Sequence, residues 1–402
     1  MPSDSTEVVV SGMGMVTPLG ADAPSTWQRL LAGERSGIWL DESRWQRPFP
    51  SSPIEWAGCP AIWPDNWRPD VTESRLHQLA MLAGREAVTD SGGISHIAPE
   101  RRGVVIGTSK IDFLPLDTSL ESCGGYLLNE PARTLASTWD CQAACLAPVV
   151  ACATGVVSIL RGVELIRQGV ADWVLAGSLD ASLHPVLLAS YGRLGVMSVP
   201  NSNPERACRP FDKDRSGFLV GEGGAVLVLE RRDLAEARSA KIYGLIAGGG
   251  MGCDPSGLTL IDATGRTLGE FVSRTLSRLG LQPTDIGSLN LHGTATAMND
   301  VTECRGLLHA LGTHAHRIPA YGVKGAIGHL MGAAGAVETA LALLSLTHGQ
   351  IPPTTNCVNQ DPDCGLAFSP QSRAVRSASV LKLSLGFGGH LAALVLSRHA
   401  ES

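Results

Sequence analysis

The 402-residue sequence lacks the markers of several protein classes. No basic run interrupts a chain whose formal net charge is −6, which excludes the electrostatics of a nucleic-acid binder. No window approaches the about 20 consecutive apolar residues that a membrane span requires. The opening "MPSDSTEVVVSGMGMVTPLG" has acidic but no basic residues before its apolar run, so it is not read as a secretory signal. The ten cysteines form no CxxC pair and no Cys/His zinc spacing; Cys141 and Cys145 come nearest, and no second ligand pair follows them. Without an export signal, the expectation is reduced thiols in the cytoplasm.

What is present is an ordinary globular balance, 44% hydrophobic and 17% charged, on a chain long enough for two or three core-sized units. Its 46 glycines are scattered, which implies tight turns and close backbone approaches. Strand-like and helix-like patterns alternate, pointing to an α/β fold with buried sheets. The sequence also echoes itself. "SGMG" (11–14), "VVIGTS" (104–109), "ATGVVSIL" (153–160) and "VGEGGAVLVLE" (220–230) resemble "GGMG" (249–252), "NLHGTA" (290–295), "AAGAVETA" (333–340) and "LGFGGHLAALVL" (385–396), in the same order. This suggests two similar α/β halves, residues 1–240 and 241–402, with insertions near 41–70 and 119–145. The alternative is one α/β domain with coincidental glycine motifs. A seam between duplicated halves is a natural place for an active site.

Cys152 in "VVACATGVVSILRGVELIRQG" (149–169) stands where an apolar run becomes a helix, predicted from Val156, Ile159, Leu160, Val163 and Ile166 at helical spacing. A helix N-terminus stabilises a thiolate and lowers its pKa, and a strand-to-helix turn lifts a nucleophile out of the sheet. Cysteines 59, 123, 141, 145, 208, 253, 304, 357 and 364 are read as packing residues. Elsewhere, "LNLHGTATAMNDVTE" (289–303) ends a strand at His292, "VKGAIGHLMGAAGAVE" (323–338) carries Lys324 and His329 before a helix of small residues, and "LSLGFGGHLAALVL" (383–396) wraps glycines around Phe387. Two histidines, a lysine and a helix-starting cysteine make a coherent acid/base and nucleophile set.

These segments, "ACATG", "RPFDKDRSGFLVGEGGAVLVLE", "HGTATAMND", "VKGAIGHLMGAAGAVE" and "GFGG", stand in the order found in elongating β-ketoacyl-[acyl carrier protein] synthases of the thiolase superfamily, and the chain resembles that family almost end to end. The resemblance implies a five-layer αβαβα thiolase-like fold of two pseudo-duplicated halves. It implies a decarboxylative Claisen condensation of an acyl thioester, held on Cys152, with malonyl-acyl carrier protein in fatty-acid or type II polyketide-like synthesis. His292 and His329 would steady the enolate, Lys324 would orient them, and Glu338 would pair with Lys324, whose alternative is a plain buried ion pair. The backbone of Cys152 and Phe387 would form an oxyanion hole, with Phe387 a gate that swings on its neighbouring glycines. Thr294, Thr296, Gly388 and Gly389 would bind substrate, the threonines gripping the pantetheine amides or merely capping the turn. No metal or resident cofactor is expected, since substrates ride on the phosphopantetheine of the carrier. The expected partners are acyl carrier protein and a second subunit, in a homodimer or in a heterodimer with a related ketosynthase-like chain.

The chain departs from the family pattern in places. "LSLGFGG" puts Leu383 and Leu385 where "NSFGFGG" is usual, and the loop region before Cys152 is shortened. "GTSKIDFLPLD" sets Lys110 and Asp112 in a segment that in the family lines the acyl pocket; they could pair with each other, or the pocket could be short or filled by a different partner subunit. Of the basic residues that dock the acidic carrier, only Arg75 stands in "VTESRLHQLAMLAGREA"; Arg68, Arg101, Arg102, Arg206 and Arg209 could supply another patch or simply be solvated. His390 is either an extra pocket residue or a turn residue, and is read as the latter. Two other functions are open: a non-catalytic chain-length-factor-like subunit, which would lack the nucleophile, and a thiolase or non-decarboxylating acyltransferase. A thiolase would need a second cysteine in the late glycine segment, which has none.

Overall fold

β1 (Val8–Val16) has glycines at 12 and 14 inside a run of valine and methionine, and all nine residues are buried. Glycine weakens a strand unless another backbone must come close. Here a Cβ on Gly12 would lie 2.4 Å from the Ala87 carbonyl oxygen, and one on Gly14 2.1 Å from that of Ala83. The two glycines therefore let helix α1 (Arg75–Asp90) lie directly on the strand. The computed structural model describes residues 6–41, 56–67, 73–113, 127–199, 203–375 and 377–399.

The first half continues with β2 (Arg102–Gly107), β3 (Ala144–Leu146), β4 (Trp173–Asp180) and β5 (Gly223–Arg231). The second supplies β6 (Gly244–Cys253), β7 (Ser288–Asn290), β8 (Ala320–Tyr321), β9 (Ser379–Gly386) and β10 (His390–Ser397). From the outer edge inward the orders are β3-β2-β4-β5-β1 and β8-β7-β9-β10-β6, one topology used twice. In each half the first three strands are parallel and the last two antiparallel. The halves join edge to edge through Val9↔Leu245 and Val10↔Gly244. All four sequence echoes fall on equivalent elements: the first, second and fifth strands, and a central helix.

The strands read as nearly unbroken apolar runs because both faces are covered. Helices α1 and α2 (Glu130–Thr138) cover the first half outside; α4 (Arg266–Arg278) and α5 (Ala297–Leu311) cover the second. Between the halves lie α3 (Thr154–Arg167) and α6 (Ala334–His348), giving the expected αβαβα layering. Residues 334–346 of α6 are all buried, as suits a helix that is apolar all round. α2 is a regular helix packed on α1, so the part of the 119–145 insertion that is described belongs to the core of the first half. Residues 42–55, 68–72 and 114–126, including Arg68, Cys123 and much of both proposed insertions, lie outside the described residues.

Gly155 weakens the start of α3 on paper, and its structural reason is the crossing of the two central helices. A Cβ there would sit 2.2 Å from the Ala336 amide nitrogen, and one on Gly335 would sit 2.8 Å from that of Val156. Each helix is entered through a short 3-10 turn, Ala151–Ala153 or Met331–Ala333, whose first residue is left-handed (Ala151 φ +44°, Met331 φ +46°). In this duplicated elbow, Gly332 occupies the position of Cys152. No helix among the described residues is long and apolar enough to cross a membrane.

Candidate active site

A left-handed alanine is strained, costing of order 1–2 kcal/mol. Thr154 holds the elbow against it: its hydroxyl accepts from the Val150 N–H at 2.8 Å and donates to the Ala151 carbonyl at 2.7 Å. The sharp turn presents Cys152, 9% exposed, at the mouth of α3. Gly386 backs the turn so closely that a Cβ on it would lie 3.3 Å from the Cys152 amide nitrogen. The Phe387 backbone N–H exerts a small influence on Cys152 that favours its ionised form.

The helix N-terminus led to the expectation of a lowered thiol pKa, and the structure reverses it. Burial pushes the Cys152 thiol up to about 11, against a smaller opposing influence of Lys110, Lys324 and the Phe387 amide. At neutral pH Cys152 is therefore a thiol rather than a thiolate. Alkylation of Cys152 by neutral iodoacetamide, followed by peptide mass, is expected to accelerate about tenfold per pH unit from 6 to 9, because the thiolate fraction climbs that way below the pKa. A plateau inside that window would mean a lowered pKa.

His292 follows the end of β7, where Glu303 takes the His292 N–H at 2.6 Å and the Gly293 N–H at 2.9 Å. His329 precedes the second elbow. The rings stand edge to face with centroids 5.4 Å apart, and their ligand-capable nitrogens and the Cys152 sulfur all lie within 4.8 Å of one another. The Met331 N–H donates to His329 Nδ1 at 3.2 Å, and the Lys324 ammonium lies 3.4 Å from His292 Nδ1. Those contacts assign the proton of each neutral ring to Nε2. Burial, seconded by Lys324, holds both imidazoles well below their usual pKa, so both are neutral hydrogen-bond donors at pH 7. The trio has the geometry of a metal-ligand set, but the lysine charges behind it disfavour a cation.

Lys324 is fully buried, donates to the His292 carbonyl and pairs with Glu338 at 2.5 Å. Sequence reasoning missed the third member of this group. Lys382, on β9, is equally buried and lies 2.6 Å from the other Glu338 oxygen, while donating to the Leu383 carbonyl. One carboxylate thus joins two buried ammonium groups. The signal was legible: a lysine inside the apolar run "SVLKLSL" of a strand covered on both faces has no water to reach.

A cavity of about 520 Å³ receives Cys152, both histidines, Thr294, Thr296, Phe387 and Gly389. Ala295 is left-handed (φ +62°), and the two threonine hydroxyls meet at 2.8 Å. Gly388 is not on the cavity wall; its N–H donates to the Leu258 carbonyl, while Gly389 accepts from the Asp254 N–H, so the glycine turn (φ +86° and +77°) clasps the 254–258 loop at the rim. Leu385 lines the cavity and Leu383 is core. His390 also lines the cavity, a correction to its reading as a turn residue.

Other expectations are corrected too. Lys110 does not pair with Asp112: it reaches Asp180 at 3.3 Å, and Asp112 accepts the Arg75 N–H at 2.5 Å. Arg75 is no docking residue, being buried against Glu222 and the Trp63 ring. Arg101 precedes and Arg102 starts β2, whereas the cavity lies beyond its other end, about 20 Å away for six extended residues. Arg101 is tied to Asp172 at 2.8 Å and Arg102 to the Ile97 carbonyl at 2.9 Å. Cys145 and Cys253 are exposed rather than packed. Tyr191 and Phe218 on the cavity wall, and Asp180, which holds Lys110, were not anticipated, since none stands in a segment with the pattern of a reactive turn.

The description "Beta-ketoacyl synthase, N-terminal domain" matches residues 69–235, and "Beta-ketoacyl synthase, C-terminal domain" matches residues 243–358. The chain is 32% identical to a 3-oxoacyl-[acyl-carrier-protein] synthase 2 of Synechocystis, covering 98% of each chain. It is 33% identical to the tetracenomycin polyketide synthase ketoacyl synthase alpha subunit of Streptomyces glaucescens, again over 98% of each. A solved ketosynthase, in a complex described as a type II polyketide synthase acyl-carrier protein with its ketosynthase bound to the hexaketide, superposes with a TM-score of 0.90 at 26% identity, covering 99% of this chain and 100% of the other. Its duplicated αβαβα layers are thus the thiolase-like fold, and the chain belongs to the β-ketoacyl synthase family.

Proposed function

We propose that the chain is an active elongating ketosynthase that condenses a Cys152-bound acyl group with malonyl-acyl carrier protein. The observation that carries this reading is the meeting of one thiol and two Nε2–H imidazoles, within 4.8 Å, on the wall of one cavity. In the first half-reaction Cys152 Sγ attacks the acyl thioester, the carrier's thiol leaves with the cysteine proton, and the oxyanion is received by the Cys152 and Phe387 N–H groups. In the second, the malonyl C–CO₂ bond breaks and the electron pair forms an enolate whose oxygen accepts from His292 and His329. The enolate carbon then attacks the acyl-Cys152 carbonyl, and the C–S bond breaks to return the thiol after protonation.

Lys324, held by Glu338, fixes His292 through its carbonyl and Nδ1. Thr294 and Thr296 suit the pantetheine amides, and Phe387 gates the chain's entry with Gly388 and Gly389 as its hinge. Residues 1–240 and 241–402 serve as the two halves. Acyl carrier protein is the partner, the protein works in the cytoplasm, and the assembly is a dimer, either of two copies or with a related ketosynthase-like chain. The nucleophile and both histidines in one site weigh against a purely non-catalytic subunit. Mixing the protein with malonyl- and acyl-carrier protein is expected to release CO₂ and give a β-ketoacyl product by mass; no product under loading conditions overturns the reading.

A further inference from the structure

The steps above make no use of Lys110 or Tyr191, yet both line the same cavity as Cys152. The Lys110 ammonium donates to Ser182 Oγ at 2.7 Å and Ser109 Oγ at 2.5 Å, and lies 3.3 Å from both oxygens of Asp180. Asp180, fully buried at the end of β4, also accepts from Ser109, Ser182 and the Gly332 N–H, so the carboxylate is fixed from several sides. The three ammonium hydrogens are thus engaged, and the side chain is 18% exposed. Tyr191, on the helix Pro185–Arg193, stands next to it with the ammonium 5.8 Å from its ring centre. Its edge-to-face contact with Phe218, at 6.3 Å, sets the ring orientation. The Tyr191 hydroxyl hydrogen meets no acceptor among the described residues, so it remains available to the cavity.

The rest of this wall is apolar: Leu194, Val196, Phe218 and Met331. A hydrocarbon chain laid there would strip water from the phenol and the edge of the ammonium and return no partner. A chain with an oxygen at that place would restore one, and unpaired buried polar groups are what make such sites discriminate. We propose that Tyr191, positioned and polarised by Lys110 on Asp180, receives a hydrogen-bond-accepting oxygen of the acyl chain, so that the enzyme selects oxygen-bearing acyl thioesters over hydrocarbon chains of equal length. This rests on the reading of Cys152 as the acyl acceptor.

The test is competitive loading of Cys152 from hexanoyl, 3-hydroxyhexanoyl and 5-oxohexanoyl thioesters of N-acetylcysteamine, read by intact and peptide mass. At least one oxygenated chain is expected to load about tenfold or more faster than hexanoyl. Tyr191→Phe, which leaves the Lys110–Asp180 pair in place, is expected to bring that ratio to about one, and Lys110→Met to lower it. Should Lys110→Met fail to fold because Asp180 is left unpaired, Tyr191→Phe alone decides. Equal loading of the three chains by the wild type, or a preference that survives Tyr191→Phe, overturns this inference while leaving the ketosynthase reading intact. Failure of every chain to load Cys152 overturns both.

Discussion

Cys152→Ala is expected to abolish acyl loading and to lower condensation by at least about 10⁴-fold. Neither the histidines nor the threonines beside Cys152 are set up to take the sulfur's place. His292 and His329 are neutral donors held by Lys324 and by the Met331 amide, and the hydroxyls of Thr294 and Thr296 bond each other. Alanine fits the same elbow, because the turn is fixed by Thr154 and not by the thiol. Protein stability should therefore change little while the chemistry stops. The variant also separates the half-reactions: the donors that receive the enolate are untouched, so slow CO₂ release from malonyl-carrier protein without β-ketoacyl product is the expected residue. Intact mass after incubation with an acyl thioester checks the first part, and CO₂ against product checks the second. Full turnover in the variant, or an acyl adduct on another cysteine in the wild type, would remove Cys152 from the reaction.

Glu338→Ala should be the most damaging substitution for the fold. It leaves Lys324 and Lys382 facing each other with no anion between them, in a place no water reaches. Breaking a buried pair typically costs about 3–5 kcal/mol, which lowers the melting temperature by about 4–6 °C in a chain of this length. Adding Lys382→Met to Glu338→Ala should recover part of the loss, because it removes one unpaired charge, and the recovery measures the coupling between the two sites. Calorimetry of Glu338→Ala, Lys382→Met and the double variant decides it. An unchanged melting temperature in Glu338→Ala would mean that the lysines are already neutral and the carboxylate idle.

The reactive turns were readable because their chemistry is local: a cysteine, a histidine or a lysine stands beside glycines in a few consecutive residues. Cys152, His292, His329 and Lys324 could be picked out that way, and the duplicated architecture could be read from four short echoes. What was hidden is long-range. Lys110 finds its carboxylate at the end of β4, Arg75 meets Glu222 across the first half, and Glu338 gathers a lysine from β9. Neighbours in sequence suggested Asp112 for the first and a carrier-docking surface for the second, and neither guess survives the folding of one segment onto another. The thiol's pKa failed for a related reason. A helix N-terminus is visible in the sequence, whereas the depth at which the fold buries it is not.

The second elbow has the same left-handed entry and the same crossing glycine as the first, and yet it carries no chemistry. At Gly332 the amide is already occupied by Asp180 at 3.1 Å, and a Cβ would stand 2.6 Å from the Ser109 nitrogen. A side chain of any kind is shut out there, so of the two elbows only the first can present a nucleophile. The twin has become the bracket that holds Asp180, and through it Lys110 on the cavity wall, in register with the first.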